Sequence, residues 1–323
     1  MALSRIEQKV WIIKKEAVRG TAEASASSGR SIPIMPASEM SLNPNLLANP
    51  KIYGDPQERK AAGGVRDWAG AFELQPSADK LGEFLMSLLG TVATDQPDFG
   101  GAPLVFRHRF TPVDNNGQHP MYTVFGDRQA EQKKYGGTAV GQMGFTFPVD
   151  GRITASCDLM AKSEAAGAVL TPDFSADLED LLFSDCTIDL AGVASSLIRQ
   201  ANVTLNGNPA RKRVLAATRD AQDIVHGPLQ VSGSFLLYYE DGTERDKLVG
   251  DGTSSLTIRA EGQIIQAAQK ASLILEMPLT KYSAGPVEEV DGILVQNFSF
   301  GAYRDPVTGY AIRATLINKE TAY

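Results

Sequence analysis

The sequence is poor in the residues that build most chemical sites. It carries two cysteines, Cys157 and Cys186, and three histidines, His108, His119 and His226. Two thiols without patterned spacing make neither a disulfide framework nor a zinc cluster, so buried free thiols are expected. His108 and His119 flank the loop FTPVDNNGQHP, but a two-histidine site would lack a third ligand and no metal is expected. Aromatic residues make up 7% of the chain, with Trp11 and Trp68 the two tryptophans. No apolar run approaches the roughly 20 residues that cross a bilayer, and MALSRIEQKV lacks the apolar block of a signal peptide. A soluble chain made in a cytoplasm, with no membrane partner, is expected. Positive charge is scattered and the formal net charge is −7, which argues against a sequence-independent grip on nucleic-acid phosphates.

Catalytic signatures are equally thin. No Gly-x-Ser-x-Gly elbow marks an activated nucleophile. The acidic stretch DFSADLEDLLFSD lacks the ligand spacing of a calcium loop and reads as a solvated linker. The glycines of KKYGGTAVGQMGF precede no helix and no Lys-Ser/Thr, so they read as a strand entry with bulges rather than a phosphate cradle. Neither an enzyme nor a cofactor is expected.

What the sequence does have is alternation. VWIIKK, ITASCDLMAK, SLTIRAEG, ASLILEMPL and YAIRATLIN alternate apolar with polar residues in short runs, the signature of half-buried strands. One helix is predicted in SADKLGEFLMSLLG, where Leu81, Phe84, Leu85 and Leu88 share a face, Ser77 or Asp79 can cap the start and Gly90 the end.

The chain also repeats itself. Gly-x-Phe-x-Leu occurs at Gly70 and again at Gly233, about half the chain further on, and at that same offset MSLNPN falls on VTLNGN. Leu42, Asn43 and Asn45 thus match Leu205, Asn206 and Asn208, and Gly64, Phe72 and Leu85 match Gly227, Phe235 and Leu248. Later the register drifts: GFTFPVDGRITASCDLMAK is expected to correspond to NFSF followed by YAIRATLINK. Self-similarity at this length indicates a duplicated domain, with a first copy at residues 1–165 and a second at 166–323. Long segments follow both Asn-x-Asn strands and hold basic clusters, Arg59 and Lys60 in one, Arg211, Lys212, Arg213 and Arg219 in the other. Loops of that length are usually functional, and a protein contact is expected there.

These pieces, in their order, resemble the tail tube proteins of long-tailed bacteriophages. The opening strand and its Glu-x-x-x-Gly-Thr (Glu16, Gly20, Thr21), PIMPASEMSLNPN, the Gly-x-Phe-x-Leu strand, LGEFLMSLLG, FRHRFTP, MYTVFGD and GRITASCDLMAK carry the likeness. Arg19 stands where that family places an aromatic before the glycine. The resemblance implies a mainly β fold of two tandem tube-like β-sandwich or half-barrel domains, each with a flanking helix. It implies a virion protein, assembled in the bacterial host cytoplasm, whose sheets join edge to edge into rings that stack into a conduit for DNA. With two copies per chain a ring of three chains with pseudo-sixfold symmetry is favoured, six chains being the alternative. Partners would be further copies and other tail proteins such as the tape measure, terminator and distal tail proteins. The basic loop residues would then stack rings. Glu73 and Gln75, opposite Phe72 and Leu74 by period-two geometry, and Ser234 in the second copy would face the lumen. A β-sandwich adhesin or carbohydrate-binding module is the competing reading; it requires exposed aromatic platforms.

Overall fold

Alternating side chains leave each strand one apolar face, and that face is buried only if sheets stack in layers. The computed structural model describes residues 9–51, 60–114, 117–175, 177–215, 218–240 and 242–323. It does so with one long antiparallel sheet and two smaller layers folded over it. The long sheet runs Glu39–Asn43, Asp67–Leu74, Thr154–Ala161, Gln132–Phe147, Ile198–Asn206, Gln230–Tyr238, Ile293–Ala302 and Gln269–Ala284. Two of these strands are too long for one layer and bend out of it. The first half of Gln132–Phe147 pairs with Tyr122–Asp127 and Ser163–Ala166, and Val10–Lys15 adds to that layer. The first half of Gln269–Ala284 pairs likewise with Ser254–Gln266 and Arg313–Asn318, and Cys186–Leu190 follows.

The bends fall at register shifts, between Tyr135 and Thr138 and between Val140 and Gln142. This is the place of the glycine-rich run, and Gly137 has φ +60°, a left-handed conformation that glycine adopts without penalty. The bulges expected there are present. A hairpin of Gly90–Asp95 and Phe106–Pro112 leaves the first half of the chain and joins Arg313–Asn318 at its far end.

The inner face of the long sheet holds Phe72, Leu74, Met143, Phe145, Leu159, Leu205, Phe235 and Phe298, each at most 2% exposed. Burying one such side chain is worth about 1.5–3 kcal/mol. The helix Gly82–Leu89 covers that core with Phe84, Leu85, Leu88 and Leu89 and stops at Gly90, φ +91°. Its start differs from expectation: Leu81 is the cap residue and no side chain caps it. Ser77 and Asp79 lie in the turn before it, where the Asp79 carbonyl accepts from Arg30 and from the Tyr323 hydroxyl instead. The second helix, Thr243–Val249, is short and has no buried residue.

Positions matched by the repeat share geometry. Asn45 and Asn208 both have positive φ, +41° and +44°. Each Nδ2 donates to a backbone carbonyl at the far end of the loop that follows, Val65 and Pro228. A Cβ on Gly70 would strike the carbonyl of Glu39, and one on Gly233 that of Asn202. The drifted match corrects one expectation: NFSF does not stand where GFTF stands. Phe72 pairs with Cys157 and Phe235 with Phe298, so Phe298 occupies the position of Cys157. A repeated Phe-x-Phe is a poor marker of register because any inward strand face accepts it.

Candidate functional site: a neutral sheet face with open edges

The outer face of the long sheet follows from the inner one, because every second residue must point away from the core. Cross-strand rows run across it without interruption between the halves. One reads Glu73, Ser156, Gly144, Thr204, Ser232 and Gly301. The next reads Thr154, Thr146, Asn202, Ser234, Ser299 and Ala284. Hydroxyls, amides and small residues dominate; the charges on and beside these rows are Glu73, Asp158, Lys281 and, on the edge strand, Glu39, which is paired with Lys9 and Arg128. Burial pushes the Asp158 carboxyl above its ordinary value.

Of the three lumen candidates, Glu73 is exposed on this face and Ser234 is half-buried on it. Gln75 lies one residue beyond the end of Asp67–Leu74, where its side-chain oxygen accepts from Arg152 at 3.1 Å.

The basic loops carry a two-stranded ribbon each, Leu46–Leu47 with Ala62–Gly63 and Ala210–Lys212 with Asp223–Val225. Arg59 lies outside the described residues; Lys60 and Lys212 are exposed. Arg211 and Arg213 turn back onto the first half. Both pair with Asp67, Arg211 Nε at 3.2 Å, and Arg211 also donates to the Trp68 carbonyl at 2.6 Å. Burial pulls the Arg211 guanidinium below its ordinary value, against the pull of Asp67. Arg219 packs against Gly63 and its carbonyl accepts from the Arg66 N–H at 3.0 Å. Beyond these contacts the tip projects Val214 and Leu215, the latter fully exposed.

The opening motif is a lock rather than a surface feature. Glu16 is buried, and its carboxylate accepts from the Gly20 and Gly137 N–H groups, both at 2.7 Å, and from Thr123 Oγ1 at 3.0 Å. Arg19 reaches the second half: its Nη1 donates to both carboxylate oxygens of Asp223 at 2.8 Å and its Nη2 to the Ile224 carbonyl. Beside it His119 stacks on His226 with centroids 4.2 Å apart. Asp67 and Asp223 were invisible as site residues in the sequence, since a lone carboxylate carries no local sign of a partner distant along the chain.

Among the described residues no group of three or more His, Cys, Asp or Glu side chains could hold a metal ion, and no helix is long and apolar enough to cross a membrane. Fold and surface together define a layered antiparallel β protein with an extended, nearly neutral face. A family model described as phage tail tube protein matches residues 10–302, and the chain belongs to that family. No curated protein matches the chain. It is a structural protein of the phage tail, a component of a multi-subunit tube.

Proposed function

We propose that the chain builds the tube by joining sheets edge to edge into rings, that rings stack, and that the neutral face lines a conduit through which DNA leaves for the host. The observation that carries this is the polar face crossing from Glu73 to Gly301 on one continuous sheet. Phosphate contacts are what make proteins adhere to DNA, and a wall of hydroxyls and amides offers few. The geometry shared by the repeated positions supports two copies, 1–165 and 166–323, and a ring of three chains. The loop tips beside Lys60, Lys212, Val214 and Leu215 are the stacking elements, and other tail proteins such as the tape measure, terminator and distal tail proteins are the further partners. No catalytic step is part of this role. Trp11 and Trp68 are buried, which removes the best platforms a carbohydrate-binding module would use. Electron microscopy of the concentrated protein tests the reading: tubes with regular striations support it, and persistent monomers would end it.

A further inference from the structure

The chain contains one joint between its halves within the long sheet, and that joint has a definite register. Gln132–Phe147 pairs with Ile198–Asn206 as Gln142 with Asn206, Gly144 with Thr204 and Thr146 with Asn202. The Gly207 N–H donates to the Gly141 carbonyl at 2.9 Å. In an antiparallel ladder such a bond flanks a non-hydrogen-bonded pair, here Gln142 with Asn206. The backbone groups of Met143 and Phe145 therefore face the second half.

Each partner in this joint has a counterpart at the opposite end of the sheet. Glu39–Asn43 pairs with Asp67–Leu74 as Ile198–Asn206 pairs with Gln230–Tyr238: Met40 faces Gly70 as Val203 faces Gly233, each residue matched to its counterpart by the repeat. Gln269–Ala284 and Val287–Val290 repeat Gln132–Phe147 at a shorter offset. Ala284 stands for Gln142 after a similar register shift, and Val287, opposite Gln296, stands for Phe145, opposite Ala155. Among the described residues neither counterpart has a strand on its outer side. Among the described residues the long sheet thus ends in two unpaired edges that are copies of the two edges already paired within it.

We propose that these edges pair with each other between copies of the chain, antiparallel, in the register Ala284 to Asn43, Gly285 to Leu42 and Val287 to Met40. This rests on the tube reading and adds to it the strands, the direction and the register. Because the two edges differ, the contact is head to tail, and repetition of it closes a ring or runs on as a filament. Pro286 is no obstacle. Its carbonyl accepts from the Asn297 N–H at 2.9 Å, so its ring nitrogen faces inward and the N–H it lacks is not one the new strand needs. The register sets Glu288 opposite Glu39, which Lys9 and Arg128 hold at 2.8 and 2.5 Å; two carboxylates then share two cations.

Side chains already meet backbone groups on both free edges: on one, the Gly285 carbonyl accepts from Gln296 Nε2 at 2.8 Å. On the other, the Met40 N–H donates to Glu39 Oε1 and the Met40 carbonyl accepts from Arg128 Nη2, both at 3.1 Å. These side chains occupy backbone groups that an incoming strand must use, and covering an edge in this way keeps it from pairing prematurely. Leu42 is met first, and the groups on Met40 are exchanged second. Arg211, Arg213 and Asp67 also reinforce the internal joint, whereas the repeat matches them to Ala48, Pro50 and Gln230. The contact between chains lacks those ion pairs and is the weaker of the two.

The test is disulfide trapping. Asn43→Cys with Ala284→Cys, both exposed positions, creates a non-hydrogen-bonded pair whose Cβ atoms are close enough to bridge. With Cys186→Ser as background, mild oxidation of assembled protein should link most chains into a ladder on non-reducing gels. Ser41→Cys with Ala284→Cys, slipped along the edge, should link less than about a tenth as much, because its Cβ atoms lie beyond bridging distance. A second variant, Val287→Pro, removes an N–H that faces the free edge; it should melt like the wild-type monomer and form no tubes. Tubes whose slipped pair links instead, or tubes of Val287→Pro, overturn the register while leaving the tube reading intact. A wild-type chain that never assembles overturns both.

Discussion

At the residue scale the Glu-x-x-x-Gly-Thr of the opening acquires a physical meaning. Glu16 closes the turn to Gly20 and at the same time holds Gly137, at the bend of the longest strand of the first half. Its removal strands two N–H groups and a hydroxyl in a buried place. Glu16→Ala is expected to cost about 2–4 kcal/mol, read from the denaturant midpoint of the monomer. The histidine pair adds a pH dependence. Burial, with the charge of His226 beside it, lowers His119 to about 4, and burial lowers His226 as well. A depressed folded-state value means the unfolded chain takes up protons first, so this contribution is complete above the ordinary value of about 6.5 and is lost as pH falls toward 4. The double variant His119→Gln/His226→Gln should lose less stability than wild type as pH falls from about 7 to about 4.5, in paired denaturation curves. A variant with an unchanged slope would mean the pair does not sense pH. The motif was legible in the sequence; the pair was not, because His119 and His226 come from different halves of the chain and neither carries a local sign of stacking.

At the element scale, strands and the first helix were legible because their faces are decided locally. Period two places Phe72 and Leu74 inward and Glu73 outward whatever the rest of the chain does. The helix end was legible for the same reason: Gly90 is left-handed, with Val113 and His119 3.0 and 3.2 Å from where a Cβ would sit. Gly90→Ala is expected to destabilise by about 1–2 kcal/mol from the backbone conformation alone, visible as a lowered melting temperature. A neutral outcome would require the turn to relax into another conformation. The helix start was misread because Ser77 and Asp79 suit a cap chemically, while the chain uses that turn to receive Arg30 and Tyr323.

At the scale of the whole molecule, what the sequence hides is connectivity. Nothing in FRHRFTP says that Phe106–Pro112 will pair with Arg313–Asn318, because strand pairing depends on which edges are left open after the rest has folded. The positions that share geometry in the two halves, Asn45 with Asn208 and Gly70 with Gly233, were by contrast visible as matching letters, since the same turn or close approach asks for the same residue. The two copies proposed from them do not write the same surface. Glu73 in the first stands where Leu236 stands in the second, so a wall made of both would alternate charged and apolar stripes, and any repulsion of DNA would come from half of it. Neutrality is then the stronger physical requirement than negative charge: such a wall must keep unpaired cations off it, and Lys281 is paired with Asp251 at 3.1 Å. Replacing Glu73 by Lys tests this, because the side chain is exposed and opposite Ser156, so folding and assembly should be unaffected. Each lysine offers DNA one phosphate contact per chain, and such contacts weaken as salt rises. Particles carrying Glu73→Lys are expected to eject DNA more slowly than wild type at low salt and to approach the wild-type rate at high salt. Equal rates at low salt would place Glu73 away from the DNA.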